Sequence, residues 1–155
     1  VERAGLGLDV VSGGELYVAE NAGFPMDKVV FHGNNKSYDE LCTAVELKVG
    51  RIIVDNPSEL RMLEQICSAK KTRVSVLFRI TPEVSSDTHA YIATADRDSK
   101  FGIPLEEVLH EYTYAVNSEH IDPRGLHFHV GSQLQSNISH LNALDVALRL
   151  AENIA

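Results

Sequence analysis

The sequence contains no apolar run long enough to span a bilayer and no secretory leader pattern. Cysteine is scarce. Cys42 and Cys67 fall in segments that read as helices and have no metal-ligand spacing, so they read as small buried apolar residues in a reduced, cytoplasmic setting. Positive charge is in deficit, with 14 Lys and Arg against 22 Asp and Glu and a net charge of −8. That balance argues against a nucleic-acid partner and against an anionic membrane surface. No G-x-G-x-x-G motif follows a strand, which counts against a dinucleotide-binding sheet. An initiating Met is also lacking, and the chain stops at Leu150–Ala155 in a helical pattern. The expectation is an internal piece of a longer protein.

What is present is an ordinary globular composition, 44% hydrophobic and 23% charged over 155 residues, enough for one domain with a core. Strands and helices alternate. Leu8–Val11 is β-branched and strand-like, and Ser12 with Glu15 opens a helix that Gly23 closes. Lys28–Phe31 is a second strand, followed by His32-Gly33-Asn34-Asn35-Lys36 and a Ser37/Glu40 capping box. Arg51–Val54 is a third strand, after which Asn56 caps a helix with Pro57 at its first position. Arg73–Ile80 is a fourth strand. A long polar stretch from Thr81 to Gly102 follows, of the kind usually kept for function. Pro104 then starts another helix. Gly125–Gln133 reads as a short fifth strand ending in a polar turn, and a last helix runs from about Ser139. This cadence predicts an α/β fold with parallel strands, neighbours paired, over a single domain spanning residues 1–155. Five such units fit either an open doubly wound sheet or part of a closed barrel.

In a parallel sheet the strand ends gather on one rim. They bring Asp9 and Ser12, His32 with Asn34, Asn35 and Lys36, Asp55 and Asn56, Arg79, and His129 with Gly131 and Ser132. Ser12, Ser37 and Asn56 read as helix caps first. The His, Arg and Asn-Asn-Lys residues are not needed for capping. On the fifth strand His127 and His129 share one face, and Leu126, Phe128 and Val130 share the other.

Three readings suit this rim. A phosphate-bearing cofactor would find an amide at Gly131 and a hydroxyl at Ser132. It would also find a flat ring at His129 and a guanidinium at Arg79. A metal hydrolase could use the His-x-His pair with Asp9, His32 or His89, although His-x-His alone is a weak signal. The third reading is a non-catalytic scaffold.

The stretches Asp9-Val-Val-Ser-Gly-Gly-Glu15, Phe31-His-Gly-Asn-Asn-Lys-Ser37, Phe78-Arg-Ile-Thr-Pro82, Thr88-His89 with Ser99-Lys-Phe-Gly102, and Gly125-Leu-His-Phe-His-Val-Gly-Ser-Gln133 resemble the diaminopimelate decarboxylases. These pyridoxal-phosphate enzymes make L-lysine from meso-diaminopimelate and belong with the ornithine and arginine decarboxylases of the alanine-racemase-like barrel class. One departure is Thr94-Ala95, where the family shows Thr-Gly. The resemblance implies a partial (βα) TIM-type barrel, about five parallel units of the eight. It implies pyridoxal phosphate as cofactor, with His129 stacked on its ring and Ser132, beside Gly131, on its phosphate. Arg79 and Asp9 would line the pocket, with Glu15 supporting them and His32 at the neighbouring strand end.

The resemblance also implies missing parts. The family's Schiff-base lysine sits on an earlier strand, so no catalytic residue is expected in this chain. Lys36 and Lys100 are poor substitutes. The glycine-rich phosphate loop, a Glu-Pro-Gly-Arg segment and a C-terminal β domain are likewise not in the sequence. The expected function is therefore that of a piece of a decarboxylase, inactive by itself, from a parent that is homodimeric and takes a small amino-acid substrate. No metal, nucleic acid or membrane is expected. Two exposed sheet edges, near Asp9 and near His129, lead us to expect self-association. Another basic-amino-acid decarboxylase of the same fold is the alternative enzyme, and a non-catalytic barrel piece assembling through its edges is the alternative of another class.

Overall fold

The computed structural model describes residues 1–82, 101–131 and 137–154. Five strands and five helices alternate: β1 (Leu8–Val10), α1 (Gly13–Asn21), β2 (Val29–Phe31), α2 (Tyr38–Glu46), β3 (Arg51–Val54), α3 (Pro57–Lys70), β4 (Val74–Arg79), α4 (Leu105–Val116), β5 (Ile121–His127) and α5 (Ile138–Ile154). The strands form one parallel sheet in the order β1-β2-β3-β4-β5. Sequence neighbours are thus sheet neighbours, and β1 and β5 are its edges among the described residues.

The helix starts follow local chemistry. Ser12 Oγ accepts from Glu15 N, Asn56 Oδ1 accepts from Glu59 N, and Ser37 and Glu40 complete a reciprocal capping box. Gly23, at a φ of 69°, ends α1 in the left-handed conformation that glycine tolerates best. The helices bury Leu16, Leu41, Leu60, Leu63, Ile66 and Val108 against one face of the sheet, where Val29, Phe31, Ile52, Val54, Val76 and Phe78 meet them. Cys67 is buried in that core and Cys42 is half-buried, both as free thiols. Burial pushes the Cys67 thiol up to about 11, which keeps it protonated and apolar.

The other face is concave. The rings of His32, just past β2, and His127, at the end of β5, lie 4.7 Å apart between centroids. In a flat sheet those strands would stand about 14 Å apart, three spacings of about 4.8 Å. The sheet therefore curls, as a section of barrel wall does, and is not an open doubly wound sheet.

The fifth strand differs from the sequence-based expectation. It begins at Ile121 and ends at His127, whereas the residues from Gly125 onward were expected to form it. Asp122-Pro123-Arg124-Gly125 has the composition of a turn. Yet β4 pairs with it throughout, and a register shift between Val76 and Leu77 absorbs one extra residue at Arg124. Pro123 has no N–H to give a ladder, and Gly125 takes a φ of 147°. The irregularity therefore falls where proline and glycine permit it. Downstream of β4, Ile80 bridges Ile103 and Ile103 N donates to Arg79 O at 2.7 Å. The chain thus re-enters the fold beside the point where it left.

Candidate functional site

Four strand ends place polar side chains on the concave face. Asp9 on β1 is 74% exposed, and its Oδ1 lies 3.5 Å from His32 Nε2. His32 itself is 18% exposed, and its backbone N–H donates to Val10 O at 2.7 Å. Its pKa lies below the ordinary histidine value. Burial is the main cause and Lys36 and Arg79 add to it, against the opposing pull of Asp9. His127 is driven lower, to about 4, chiefly by burial and then by His32 and Arg79. Both rings are therefore neutral near pH 7. The Nδ1 atom of His127 is shielded from solvent and meets no hydrogen-bond partner among the described residues.

Arg79 closes β4 and is anchored from the side. Its Nη1 lies 3.0 Å from Asp55 Oδ1, and its guanidinium lies 5.0 Å from the centre of the Phe101 ring. Asp55 is 4% exposed, and its second oxygen accepts from Gly102 N at 3.3 Å. His129 and Gly131 follow β5 as exposed residues, with Gly131 at a φ of 116°. Ser132, expected to bind phosphate, lies outside the described residues, as do His89 and Lys100. Among the described residues, no three His, Cys, Asp or Glu side chains gather as a cation site.

The loops beneath these residues are tied together. Glu15 Oε2 accepts from Val11 N at 2.6 Å, which ties the β1–α1 turn together two residues past Asp9. Glu40 accepts from Ser37 N at 2.9 Å and from Gly13 N at 2.7 Å. One carboxylate thus caps both α1 and α2. Its pKa is held below the usual carboxylate range by the backbone N–H of Ser37 and then that of Gly13. Lys36 is buried, with its Nζ on Ile53 O at 2.8 Å, Glu59 Oε1 at 2.8 Å and Gly33 O at 2.5 Å. All three contacts fix the β2–α2 loop and take up the ammonium's donors. Lys36 is a structural lysine, in keeping with its being a poor substitute for a Schiff-base residue.

The structure thus joins Asp9 to His32 and sets Arg79 on the same rim. It adds residues not singled out from sequence. The sequence marks His127 only as the first member of the His-x-His pair, on one face with His129 and offered there as a metal ligand, and Asp55 only as one strand-end group among several. Phe101 and Gly102 belonged to a motif with no assigned role. The spacing of Asp55 and Arg79, each at its strand's end, was the available signal for their pairing, since Val54 and Phe78 are register partners.

The rim thus gathers the guanidinium of Arg79, the Asp9–His32 pair and a His127 ring nitrogen that has no partner among the described residues, with His129 exposed just past β5. Comparison with known proteins agrees with the resemblance seen in the sequence. The family model for the pyridoxal-dependent decarboxylase, pyridoxal binding domain, matches residues 1–155. The chain is 50% identical over 135 residues to a diaminopimelate decarboxylase of Bacillus subtilis, covering 86% of this chain and 31% of that protein. It is 49% identical over 135 residues to one of Bacillus methanolicus, with the same coverage. The crystal structure of diaminopimelate decarboxylase from Helicobacter pylori complexed with L-lysine superposes with a TM-score of 0.87 at 32% identity, covering 96% of this chain and 38% of that one. The chain spans about a third of the length of the curated relatives it matches.

Proposed function

Since the chain belongs to the pyridoxal-dependent decarboxylases, matching the model of their pyridoxal binding domain over residues 1–155, we propose that it supplies one wall of a pyridoxal phosphate site in an enzyme converting meso-diaminopimelate to L-lysine and carbon dioxide. The observation that carries this reading is the gathering of Asp9, His32, Arg79 and His127 on one concave rim beside the exposed His129 ring. His129 stacks on the pyridine ring. The Gly131 turn offers its amide, and Ser132 its hydroxyl, to the phosphate. Arg79, braced by Asp55, presents a fixed guanidinium beside the ring, and the Asp9–His32 pair borders the opening. When bound, pyridoxal phosphate supplies the electron sink for the negative charge left when carbon dioxide departs. The substrate assignment rests on relatives named as diaminopimelate decarboxylases and on a neighbour solved with L-lysine bound.

The site is incomplete in this chain, which is inactive alone, and the lysine that would hold the cofactor covalently is not Lys36. Treating the chain with pyridoxal phosphate and borohydride, followed by peptide mass analysis, is expected to give no specific adduct. A stoichiometric adduct at Lys36 would overturn the site. In a full-length decarboxylase containing this chain, His129→Ala is expected to abolish diaminopimelate-dependent carbon dioxide release. Unchanged release would overturn the stacking role.

The proposed setting is cytoplasmic. No helix among the described residues is long and apolar enough to cross a membrane. The parent is proposed to be a homodimer, and the isolated chain to self-associate. Among the described residues, β1 and β5 are sheet edges, each with one side that pairs with no other strand. Leu141, Leu144 and Leu148 lie exposed along one side of α5, while Tyr17 and Val18 lie exposed on α1. Light scattering is expected to give a mass that rises with concentration. A monomer at every concentration would exclude it.

A further inference from the structure

We propose that His127 is a positioning residue, whose ring braces His32 toward Asp9 from across the concave face. Three observations carry it. The two imidazoles meet edge to face at 4.7 Å, with 72° between their planes. Asp9 Oδ1 lies 3.5 Å from the Nε2 atom of His32. His127 Nδ1 is shielded and has no hydrogen-bond partner among the described residues. A buried donor without a partner is disfavoured, so the proton of the neutral ring belongs on Nε2.

The charged and titratable groups facing the pair keep it neutral from several sides. Arg79 on β4 and Lys36 after β2 oppose protonation of His32, as His32, Arg79 and His129 do for His127, while Asp9 on β1 favours it in both. Asp9 touches His32 directly, so His32 is the ring whose charge responds to the mouth of the site. His127 sets that ring's distance and tilt. A ligand atom arriving at the mouth meets a carboxylate and an imidazole in fixed relation. That this ligand is pyridoxal phosphate rests on the reading above, whereas the brace does not.

The test is nitrogen-15 histidine NMR on the chain itself. In the unsubstituted chain a cross-ring nuclear Overhauser effect between His32 and His127 is expected, with His127 in the Nε2–H form throughout the titration of His32. Absence of that contact, or a His127 that titrates together with His32, overturns the proposal without any variant. His127→Phe keeps an aromatic brace and is expected to leave the His32 midpoint nearly in place. His127→Ala opens the ring to water and is expected to raise the midpoint by about one pH unit. An unmoved midpoint in a folded Ala variant would make His127 a bystander. A pyridoxal phosphate titration of a full-length decarboxylase containing this chain, with and without His127→Ala and followed by absorbance, separates the two ideas. Failure to bind with the ring contact present sinks the cofactor reading alone, and binding without the contact sinks the brace alone.

Discussion

Arg79 Nη1 lies 3.0 Å from Asp55 Oδ1, joining the ends of β4 and β3 at the rim of the site. Asp55 is almost wholly buried and also takes the Gly102 N–H, so one carboxylate holds both the guanidinium and the returning chain. Asp55→Ala leaves that guanidinium unpaired and is expected to cost about 3 kcal/mol. Asp55→Asn keeps a neutral acceptor and is expected to cost less. Urea unfolding of the two variants measures the difference. An Asp55→Ala variant as stable as the wild type would mean the pair contributes nothing.

Gly50 tests the close approach behind β3. A Cβ there would stand 2.0 Å from Asp27 O, and the glycine N–H already donates to Met26 O at 2.9 Å. Both neighbours are backbone and cannot rotate away. Gly50→Ala is expected to cost about 3 kcal/mol. Gly23→Ala meets open space but a φ of 69°, and is expected to cost about 1 kcal/mol. The ranking is read from urea midpoints.

Glu40 caps two helices at once, and Gly13 makes room for it: a Cβ at Gly13 would meet Glu40 Cγ at 3.0 Å. Glu40→Ala removes charged acceptors from two backbone donors and is expected to cost about 2 kcal/mol. Because the folded carboxyl titrates below its usual value, its contribution is full above the unfolded pKa. It disappears as pH falls through the folded one. Wild type and Glu40→Gln are therefore expected to converge in stability on acidification, as followed by thermal melts.

Glu59 has the opposite sign. Burial raises its carboxyl to about 7 against the pull of Lys36. Stability from this group is complete below the unfolded value of 4.5 and is lost as pH rises through about 7. His127, lowered to about 4 by burial and by its neighbours, works the other way, with stability lost as pH falls from 6.5 toward that value. Glu59→Gln removes only the first slope. Urea midpoints across this range are expected to rise with pH more steeply in the Gln variant than in wild type. Parallel curves would place the Glu59 pKa at its ordinary value.

Helix starts were legible because capping is local: Ser12, Ser37 with Glu40, and Asn56 with Pro57 each announce a helix within four residues. The parallel βα order was legible for the same reason. β5 was misplaced because Asp122-Pro123-Arg124-Gly125 has the composition of a turn, and only pairing with β4 makes it a strand. The meeting of His32 with His127 depends on sheet curvature, which no local pattern encodes. Asp9, His32 and Arg79 were found as strand-end residues, whereas Asp55 as the anchor of Arg79 and Glu40 as the second cap of α1 needed the tertiary structure. The phosphate role of Ser132 lies outside the described residues.

The bridge between Ile80 and Ile103 and the Gly102–Asp55 hydrogen bond hold the two ends of the intervening stretch side by side. Arg79 takes its position from those ends. Lengthening the connection between two fixed ends costs only slowly more, about 0.6 kcal/mol per doubling. The place of the guanidinium is therefore set by Asp55 and by the residues that flank this stretch, which meet in space although they lie far apart along the chain.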